Sequence, residues 1–434
     1  MATNSRLIKD SLLPEGKEDE ELLKIIKAEG FKDYEITMSS GAERGDNFTG
    51  TLVNIEVKGH SENGEAKQLN LITKCSPRLG DFRNMMPITQ FYIIETFMYD
   101  TYFPAVFNIL KEYGLDNDKA LRTKLFSIPK VYGASAEPMD EFMIMNNKKC
   151  ENYKMGNRME PLDDAHCRLV LKQLGYLHGL SYALKHLYPE KFAEIAKTFA
   201  SCNVFENAPE QMVAIYRAHI TGLVEMGKTT LDPETNQLEI DKIVEFSKIA
   251  FDEYMMGLLR DRSKFDPKYS VVIHGDAWTN NFLFKYDELG NLTDDMVFLD
   301  FQLSRCVSPA IELLYFLAVS VSTELRKNSY NELLEIYYSR LSEMLFKFNL
   351  EPYEVLPRTV LESDMKKFGG YMIVVGAQAL AFHTSKSEDI PDFQTMTLDE
   401  SEKFMLEAKK MSKNDSCQSR FKGIILFAIE HGFI

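Results

Sequence analysis

The pattern of hydrophobic and polar positions divides the chain into a strand-rich first part and a helix-rich second part. Residues 18–29 carry leucines and isoleucines at helical spacing, and Gly30 follows as a stop signal. The pattern then changes to a period of two on both sides of a turn that contains Asn63-Gly64, which predicts a β-hairpin. The inward positions of this hairpin are Val53, Ile55 and Val57 on one strand and Leu69, Leu71 and Thr73 on the next.

Further along the chain, residues 86–103 have the pattern of a helix and residues 141–147 that of a buried strand. From about residue 160 the pattern is mainly helical, as in the run 163–184. The polar stretch 146–154, NNKKCENYK, is the predicted boundary between the two parts. The sequence therefore predicts an α+β chain with two unequal lobes, 1–145 and 146–434.

The stretch VVIHGDAWTNNFLF (271–284) places a polar loop between two apolar runs that are typical of buried strands. A second strand begins at 282, DELGN turns the chain, and MVFLD (296–300) returns as a strand that ends on Asp300. Antiparallel pairing brings the start of one strand beside the end of the other, so we expect Asn281 and Asp300 to be neighbours.

Two oxygen ligands at one end of a hairpin suit Mg²⁺, which binds one or two protein oxygens together with substrate phosphates. Asp276 lies five residues before Asn281 and can face a second substrate. Phosphoryl transfer needs this set: one carboxylate accepts the proton of the attacking hydroxyl, while an amide and a second carboxylate hold the metal. Taken alone, Asp276 and Asn281 are better explained as turn residues, and only their combination with Asp300 favours the catalytic interpretation.

A nucleotide site also needs a phosphate clamp, for which the first lobe offers Lys74 near the end of the second hairpin strand. Lys74 is either a solvent-exposed strand lysine or the lysine that binds nucleotide phosphates and pairs with a helix glutamate. Glu95 on the following helix is its candidate partner, the alternative being a solvated helix face. Gly41, Gly45 and Gly50 precede the hairpin in a loop that could cover phosphates, although they do not form a GxGxxG motif.

Composition and charge narrow the possible functions. Hydrophobic residues make up 45% of the 434 residues and charged residues 26%, as in ordinary globular proteins. The net charge of −15 argues against nucleic acids and acidic membrane surfaces as partners. The six cysteines are scattered without a CxxC pair, and neither a signal peptide nor a membrane span is recognisable. These observations predict a cytoplasmic enzyme or binding protein.

The motifs HGDAWTNN and LDFQ resemble the catalytic loop and metal-binding Asp of the aminoglycoside phosphotransferase and choline kinase superfamily. More closely, a series of motifs resembles, in its order and spacing, the insect ecdysteroid kinase-like family with its CHK kinase-like domain. The motifs are RGDNFTGTLVNIEV, LITK, ETFMY, LGYLHGLSYAL, HGDAWTNNFLF, FLDFQ and SPAIELLYFL, and they cover roughly residues 39 to 320.

The resemblance implies a protein-kinase-like fold with an antiparallel sheet in the N-lobe, a hinge near Met145 and Asn147, and a larger, mainly helical C-lobe. It implies ATP and Mg²⁺ as cofactors, with Asp276 as the catalytic base, His274 as a support of the catalytic loop, and Asn281 and Asp300 as metal ligands. The implied ATP-binding residues are Lys74, Glu95, Gly45, Asn47, Met145 and Asn147. Trp278 either lines the acceptor pocket or is a large packing residue.

One position departs from the family pattern, because Glu312 stands where the family usually has Asp. Ser308 and Pro309 are typical of the N-cap and first residue of a helix, which places Glu312 in its first turn. If this residue braces the catalytic loop, its longer side chain alters the geometry of that loop.

Only eight residues, FQLSRCVS, separate Asp300 from the helix that begins at Pro309, and no A-P-E motif follows. This segment is too short for the platform on which protein kinases bind a peptide, so we expect a small-molecule acceptor. The resemblance implies the hydroxyl of an ecdysteroid or of another steroid, plant or xenobiotic alcohol, in hormone inactivation or detoxification. The alternatives are a kinase-like protein that binds a ligand or partner without turnover, and a choline or ethanolamine kinase. The expected oligomeric state is a monomer or a weak homodimer.

Overall fold

A five-stranded antiparallel sheet forms the first part of the molecule. The computed structural model describes residues 17–41, 50–77, 83, 86–116, 127–202, 210–390 and 414–434. The strands of the sheet are β1 (Phe31–Ser40), β2 (Thr51–Ser61), β3 (Ala66–Cys75), β4 (Val131–Ser135) and β5 (Phe142–Asn146). Their spatial order is β1-β2-β3-β5-β4, and every neighbouring pair is antiparallel.

The predicted hairpin is formed by β2 and β3, in which Val57 lies opposite Leu69 and Val53 opposite Thr73. Gly64 in its turn has a φ of +78°, a conformation that glycine adopts without steric cost. The edge strand β1 was not anticipated from the sequence; it pairs on one side only, and most of its residues are exposed.

One face of this sheet is covered by the first helix, α1 (Lys17–Ala28), and the opposite face borders a cleft. The helix buries Leu22, Ile25 and Ile26 against the inward side chains of β2, β3 and β5. Because side chains alternate along a strand, the neighbours Ile72 and Lys74 on β3 point to the other face and line the cleft.

The helix that carries Glu95 begins in α2 (Ile88–Phe97), passes through a π-helical turn at Met98–Tyr102 and continues as α3 (Phe103–Glu112). The sequence predicted one helix over 86–103, whereas the observed run begins at Ile88, contains the π turn and continues to Glu112. Ile94 and Met98 join the core of the helical part, so this run connects the sheet to the rest of the molecule.

The second part of the chain is mainly helical and shares one continuous hydrophobic core. Its helices are α4 (Asp164–Leu187), α5 (Pro189–Ser201), α6 (Glu210–Glu225), α7 (Gln237–Ile249), α8 (Gly257–Arg260), α9 (Pro309–Val319), α10 (Thr323–Lys347), α11 (Pro352–Val355), α12 (Arg358–Lys367), α13 (Gly370–His383) and α14 (Asp415–Glu430). The long helices α4 and α10 pack against each other. Across the described ranges, no helix combines the length and apolar character needed to cross a membrane.

Short strands at the base of the cleft hold the polar loop singled out in the sequence. They are β6 (Tyr153–Met155), β7 (Val271–Ile273), β8 (Phe282–Tyr286), β9 (Leu292–Phe298) and β10 (Arg305–Val307). Strand β8 lies between β6 and β9, whereas β7 pairs with β10. One boundary is corrected: β9 ends at Phe298, two residues before Asp300, because Asp300 leaves the strand with a left-handed φ of +63°.

The predicted α+β fold is confirmed, with an antiparallel sheet in the N-terminal part and helices in the C-terminal part. The division into lobes at residues 145 and 146 stays a prediction. The predicted boundary stretch contains a short 3₁₀ helix, Lys148–Glu151, directly after β5.

A buried carboxylate at the end of the sheet fixes the start of α2. The carboxylate of Glu141, just before β5, accepts hydrogen bonds from Ser76 after β3 (2.7 Å), from Thr89 on α2 (2.6 Å) and from Arg83 (3.0 Å). Burial alone raises the pKa of Glu141, but these donors, with Arg83 first, lower it to about 2. This cluster therefore ties the helix of Glu95 to the strand of Lys74.

We predict that this cluster makes stability depend on pH below the ordinary range of a glutamate. Because the pKa of Glu141 is depressed in the folded state, its contribution is complete above pH 4.5 and is lost as the pH falls towards 2. Between pH 5 and 3 the wild-type protein should lose about 1 kcal/mol more unfolding free energy than Glu141→Gln, given partial solvent screening of Arg83. Urea unfolding at both pH values measures this difference. An equal loss of unfolding free energy between pH 5 and pH 3 in the two proteins would contradict the prediction.

Candidate active site

Glu312 holds the backbone of the polar loop between β7 and β8. Its Oε1 accepts a hydrogen bond from the Gly275 amide (2.6 Å), and its Oε2 accepts one from the His274 amide (3.1 Å). The same Oε2 lies 2.8 Å from Nε2 of His178, whose Nδ1 is 2.8 Å from the Tyr337 hydroxyl. The longer side chain at this position thus reaches the loop directly.

The side chains of Glu312, His178 and Tyr337 are all buried, so their polar groups depend on one another and on the loop for hydrogen bonds. Burial alone raises the pKa of Glu312, but hydrogen bonding and charge from His178 and further contacts with the loop lower it overall. Glu312 is therefore held as a carboxylate, the form that can accept from both loop amides.

His274 connects the loop to the segment that follows β9. The Asp276 amide donates to Nδ1 of His274 (3.2 Å), which leaves Nε2 to donate to the Leu299 carbonyl (2.8 Å). Ser304 also donates to the His274 carbonyl (3.0 Å). The side chain is fully buried, and its contacts are those of a support for the loop, the role implied by the family resemblance.

Gly275 is required by the close approach of two backbone segments. Its φ is +89°, and a Cβ at this position would lie 2.0 Å from the Leu303 carbonyl oxygen. A side chain would therefore displace either the loop or the segment after Asp300.

The carboxylate of Asp276 is oriented by two neighbours. Tyr315 on α9 donates to its Oδ1 (2.7 Å), and Nδ2 of Asn281 donates to its Oδ2 (2.9 Å) and to its backbone carbonyl (2.8 Å). Burial, followed by repulsion from Asp300, raises the pKa of Asp276 above its usual range, and the bonds from Tyr315 and Asn281 offset part of this. A carboxylate with a raised pKa is a stronger proton acceptor than an exposed one.

Asn281 and Asp300 lie side by side, as predicted from the hairpin. The Leu299 amide donates to the Asn281 carbonyl (2.9 Å), which continues the β8–β9 pairing to the residue before Asp300. Because the described hydrogen bonds of the Asn281 side chain are all donated by Nδ2, its Oδ1 can face a cation. An amide oxygen and a carboxylate fit Mg²⁺, which completes its shell with phosphate and water oxygens.

Within the described ranges, no group of three or more His, Cys, Asp or Glu side chains is arranged to hold a metal ion by itself. A metal at Asn281 and Asp300 would therefore need oxygen ligands from a bound phosphate chain, as Mg²⁺ in kinases does.

Lys74 joins the sheet to Asp300. Its Nζ donates to Glu95 Oε2 (2.9 Å), to Asp300 Oδ1 (2.8 Å) and to Gln302 Oε1 (3.3 Å). Lys74 is 4% exposed and Glu95 is 1% exposed. The alternatives of a solvent-exposed lysine and of a solvated helix face for the glutamate are thus excluded.

The charges of this cluster affect one another strongly because they are shielded from water. Burial alone lowers the pKa of Lys74, but the carboxylates of Asp300 and Glu95 raise it above its ordinary value. Burial raises the pKa of Glu95, and the adjacent Lys74 opposes that effect. Lys74 is therefore held as a cation, the form that binds phosphate.

A cleft opens between the sheet and these residues. Lys74, Glu95, Asn281 and Asp300 lie at its polar end. Its apolar lining includes Leu52, Ile72, Met145, Met155, Leu283 and Leu299, and polar residues at 146–149 line it as well. A cleft with apolar walls and convergent polar groups has the character of a small-molecule site.

Both predicted hinge residues, Met145 and Asn147, line this cleft. The side chain of Asn147 donates to Asn54 Oδ1 (3.0 Å) and accepts from the Lys149 amide (3.1 Å), so it is fixed by the protein itself. Gly45 and Asn47, which the sequence placed in a phosphate-covering loop, lie outside the described residues.

Trp278 is 5% exposed, and its ring stacks on that of His383 with centroids 3.9 Å apart and planes 6° apart. Burial, with the nearby Arg420 and Arg158, lowers the pKa of His383 well below its usual range, so an uncharged ring stacks on the indole. The structure shows Trp278 as a packing residue, and its contribution to an acceptor pocket stays a prediction.

Sequence reasoning missed three residues that contact the predicted set: Tyr315, Gln302 and His178. Tyr315 lies three positions after Glu312 and thus on a neighbouring part of the same helix face, a spacing that could have marked it. Gln302 belongs to the LDFQ motif, and His178 is a polar residue within an apolar helix.

Comparison with solved structures finds an aminoglycoside 2′-phosphotransferase IIIa point mutant in its GDP complex. It is 12% identical to this chain, and the match covers 92% of this chain and 99% of that one with a TM-score of 0.35, so the two chains superpose poorly as wholes. No curated protein sequence matches this chain.

A profile of the ecdysteroid kinase-like family matches residues 44–350, well over half of the chain. The matched range contains Lys74 and Glu95, the loop from His274 to Asn281, and Asp300. It confirms the family indicated by the sequence motifs and places the chain among the kinase-like phosphotransferases that act on small molecules. The protein belongs to the ecdysteroid kinase-like family.

Proposed function

We propose that this protein is an ATP- and Mg²⁺-dependent phosphotransferase whose acceptor is a hydroxyl group of an ecdysteroid or of another steroid, plant or xenobiotic alcohol. The observation that carries the proposal is the meeting of Lys74, Asn281 and Asp300 in one cleft beside the sheet, with Asp276 bonded to Asn281. These are the groups that phosphoryl transfer requires.

Different residues of the cleft would bind different parts of the nucleotide. The apolar wall around Met145 would enclose the base, and Lys74 would bind phosphate oxygens while Glu95 keeps it in place. Asn281 and Asp300 would hold Mg²⁺, which when bound neutralises charge on the phosphates.

Asp276 would accept the proton of the acceptor hydroxyl. Tyr315 and Asn281 fix both of its oxygens, so the carboxylate needs little reorganisation when an acceptor binds. Its raised pKa increases its affinity for that proton.

The segment after Asp300 supports a small acceptor. Part of the eight-residue connection to α9 forms β10, which pairs with β7 beside the catalytic loop. This segment thus packs at the base of the site and does not itself form an extended surface on which a peptide could bind.

The first prediction is that wild-type protein, incubated with MgATP and a panel of hydroxylated steroids and plant alcohols, produces a phosphate mass shift in at least one of them. Asp276→Asn should lower that rate by about 10³-fold or more, because an amide cannot accept the proton. Its affinity for MgATP should stay within a few-fold of the wild-type value, since Asp276 faces the acceptor. Mass spectrometry of products and calorimetric ATP titrations measure the two quantities.

The kinase assignment fails if no alcohol in the panel is phosphorylated and MgATP raises the melting temperature of neither protein. MgATP binding without turnover would instead indicate the alternative of a kinase-like binding protein.

The second prediction concerns the metal. Asp300→Asn should raise the Mg²⁺ concentration needed for half-maximal ATP binding by about tenfold or more, because the charged metal ligand is lost. Asp294→Asn on β9 is the matched control, since its side chain is exposed and lies outside the cleft. Calorimetric ATP titrations over a range of Mg²⁺ concentrations provide the measurement, and identical Mg²⁺ dependence in the two variants would contradict the assignment.

The third prediction concerns Glu312. Glu312→Gln supplies only one acceptor oxygen where the wild-type side chain offers two, so a buried donor of the loop or of His178 loses its partner. We expect unfolding free energy to fall by about 1–3 kcal/mol and kcat to fall by roughly tenfold or more as the loop loosens. Urea unfolding and steady-state kinetics test this, and a variant with unchanged kcat would show that Glu312 does not position the loop.

A further inference from the structure

Gln302 lies between Lys74 and Asp300, the two charged groups that would contact a bound metal-nucleotide. Its Oε1 accepts from Lys74 (3.3 Å), and its Nε2 donates to Asp300 Oδ2 (3.3 Å). The side chain is 6% exposed. One amide therefore contacts a cation with its oxygen and an anion with its nitrogen.

From this arrangement we propose that Gln302 is a positioning residue, which orients the Asp300 carboxylate for Mg²⁺ and keeps Lys74 beside it. The inference rests on the proposed function, because it concerns how the same site prepares for a metal-nucleotide.

The chemistry of the side chain explains why an amide suits this position. The site already holds the carboxylates of Glu95, Asp276 and Asp300 close to the ammonium group of Lys74. A further carboxylate at position 302 would repel Asp300, and a cation would compete with the metal for it. A neutral amide satisfies both partners and adds no charge.

Gln302 would also keep Asp300 in place when Lys74 changes its binding partner. In this structure Lys74 holds Oδ1 of Asp300, yet the same ammonium group must turn to phosphate oxygens when nucleotide binds. When that contact loosens, the bond from Gln302 to Oδ2 still fixes the carboxylate. This matters because Asp300 has a left-handed backbone, outside the support of β9.

Gln302→Met tests the proposal, because it keeps the length of the side chain and removes both hydrogen bonds. We expect the Mg²⁺ concentration needed for half-maximal ATP binding to rise by about tenfold, as for other groups that orient metal ligands. ATP binding without divalent cations should change by less than threefold. Calorimetric titrations with ATP at several Mg²⁺ concentrations provide the measurement, and the spectrum of Mn²⁺ bound with ADP gives a readout independent of turnover.

The matched control is Gln173→Met on α4, a buried glutamine that donates to the Asp294 carbonyl outside the cleft. It removes a comparable hydrogen bond and should leave the Mg²⁺ dependence unchanged. Gln302→Asn is a second test that keeps the amide but is one methylene too short to reach both partners, and it should shift the Mg²⁺ dependence in the same direction as Gln302→Met.

Unchanged Mg²⁺ dependence in both Gln302 variants, with normal binding in the wild-type protein, would overturn the role of Gln302 alone. An equal shift in the Gln173 control would also overturn it, because loss of stability would then explain the effect. Absence of Mg²⁺-dependent ATP binding in the wild-type protein would overturn the proposed function together with this inference.

Discussion

The site depends on the buried contact between Lys74 and the carboxylates of Glu95 and Asp300. Charges removed from water are costly unless each has a partner, and loss of one partner leaves another charge uncompensated. Lys74 comes from the sheet, Glu95 from α2 and Asp300 from the segment after β9. One ammonium group thus fixes three parts of the fold relative to one another and sets the polar end of the cleft.

A second network holds the loop between β7 and β8 in place. Glu312, at the start of α9, accepts from two successive loop amides, and the same helix carries Tyr315, which holds Asp276. A single helix therefore fixes both the backbone of the loop and the carboxylate of Asp276. The glutamate at position 312 preserves the bracing contact that its departure from the family pattern put in question.

The sequence was sufficient for the parts of the site that depend on local pattern. The hairpin from residue 282 placed Asn281 beside Asp300, and strand alternation placed Lys74 on the face opposite Leu71. The edge strand β1 was missed although Tyr34, Ile36 and Met38 alternate with polar residues along it; these side chains are only partly buried. The departure of Asp300 from β9, and the contacts of Tyr315 and Gln302, depend on tertiary packing that no local pattern specifies.

The π-helical turn at Met98–Tyr102 has a consequence for the direction of Glu95. A π turn accommodates about one residue more than an α turn, and each residue of an α-helix advances the chain by about 100° around the axis. The extra residue therefore rotates the side chains of α3 about the helix axis relative to those of α2. One segment can direct a carboxylate at Lys74 while the other presents Phe103 and Val106 to the helical core. Insertion or deletion of one residue at this turn would rotate Glu95 away from Lys74 while leaving the helix itself intact.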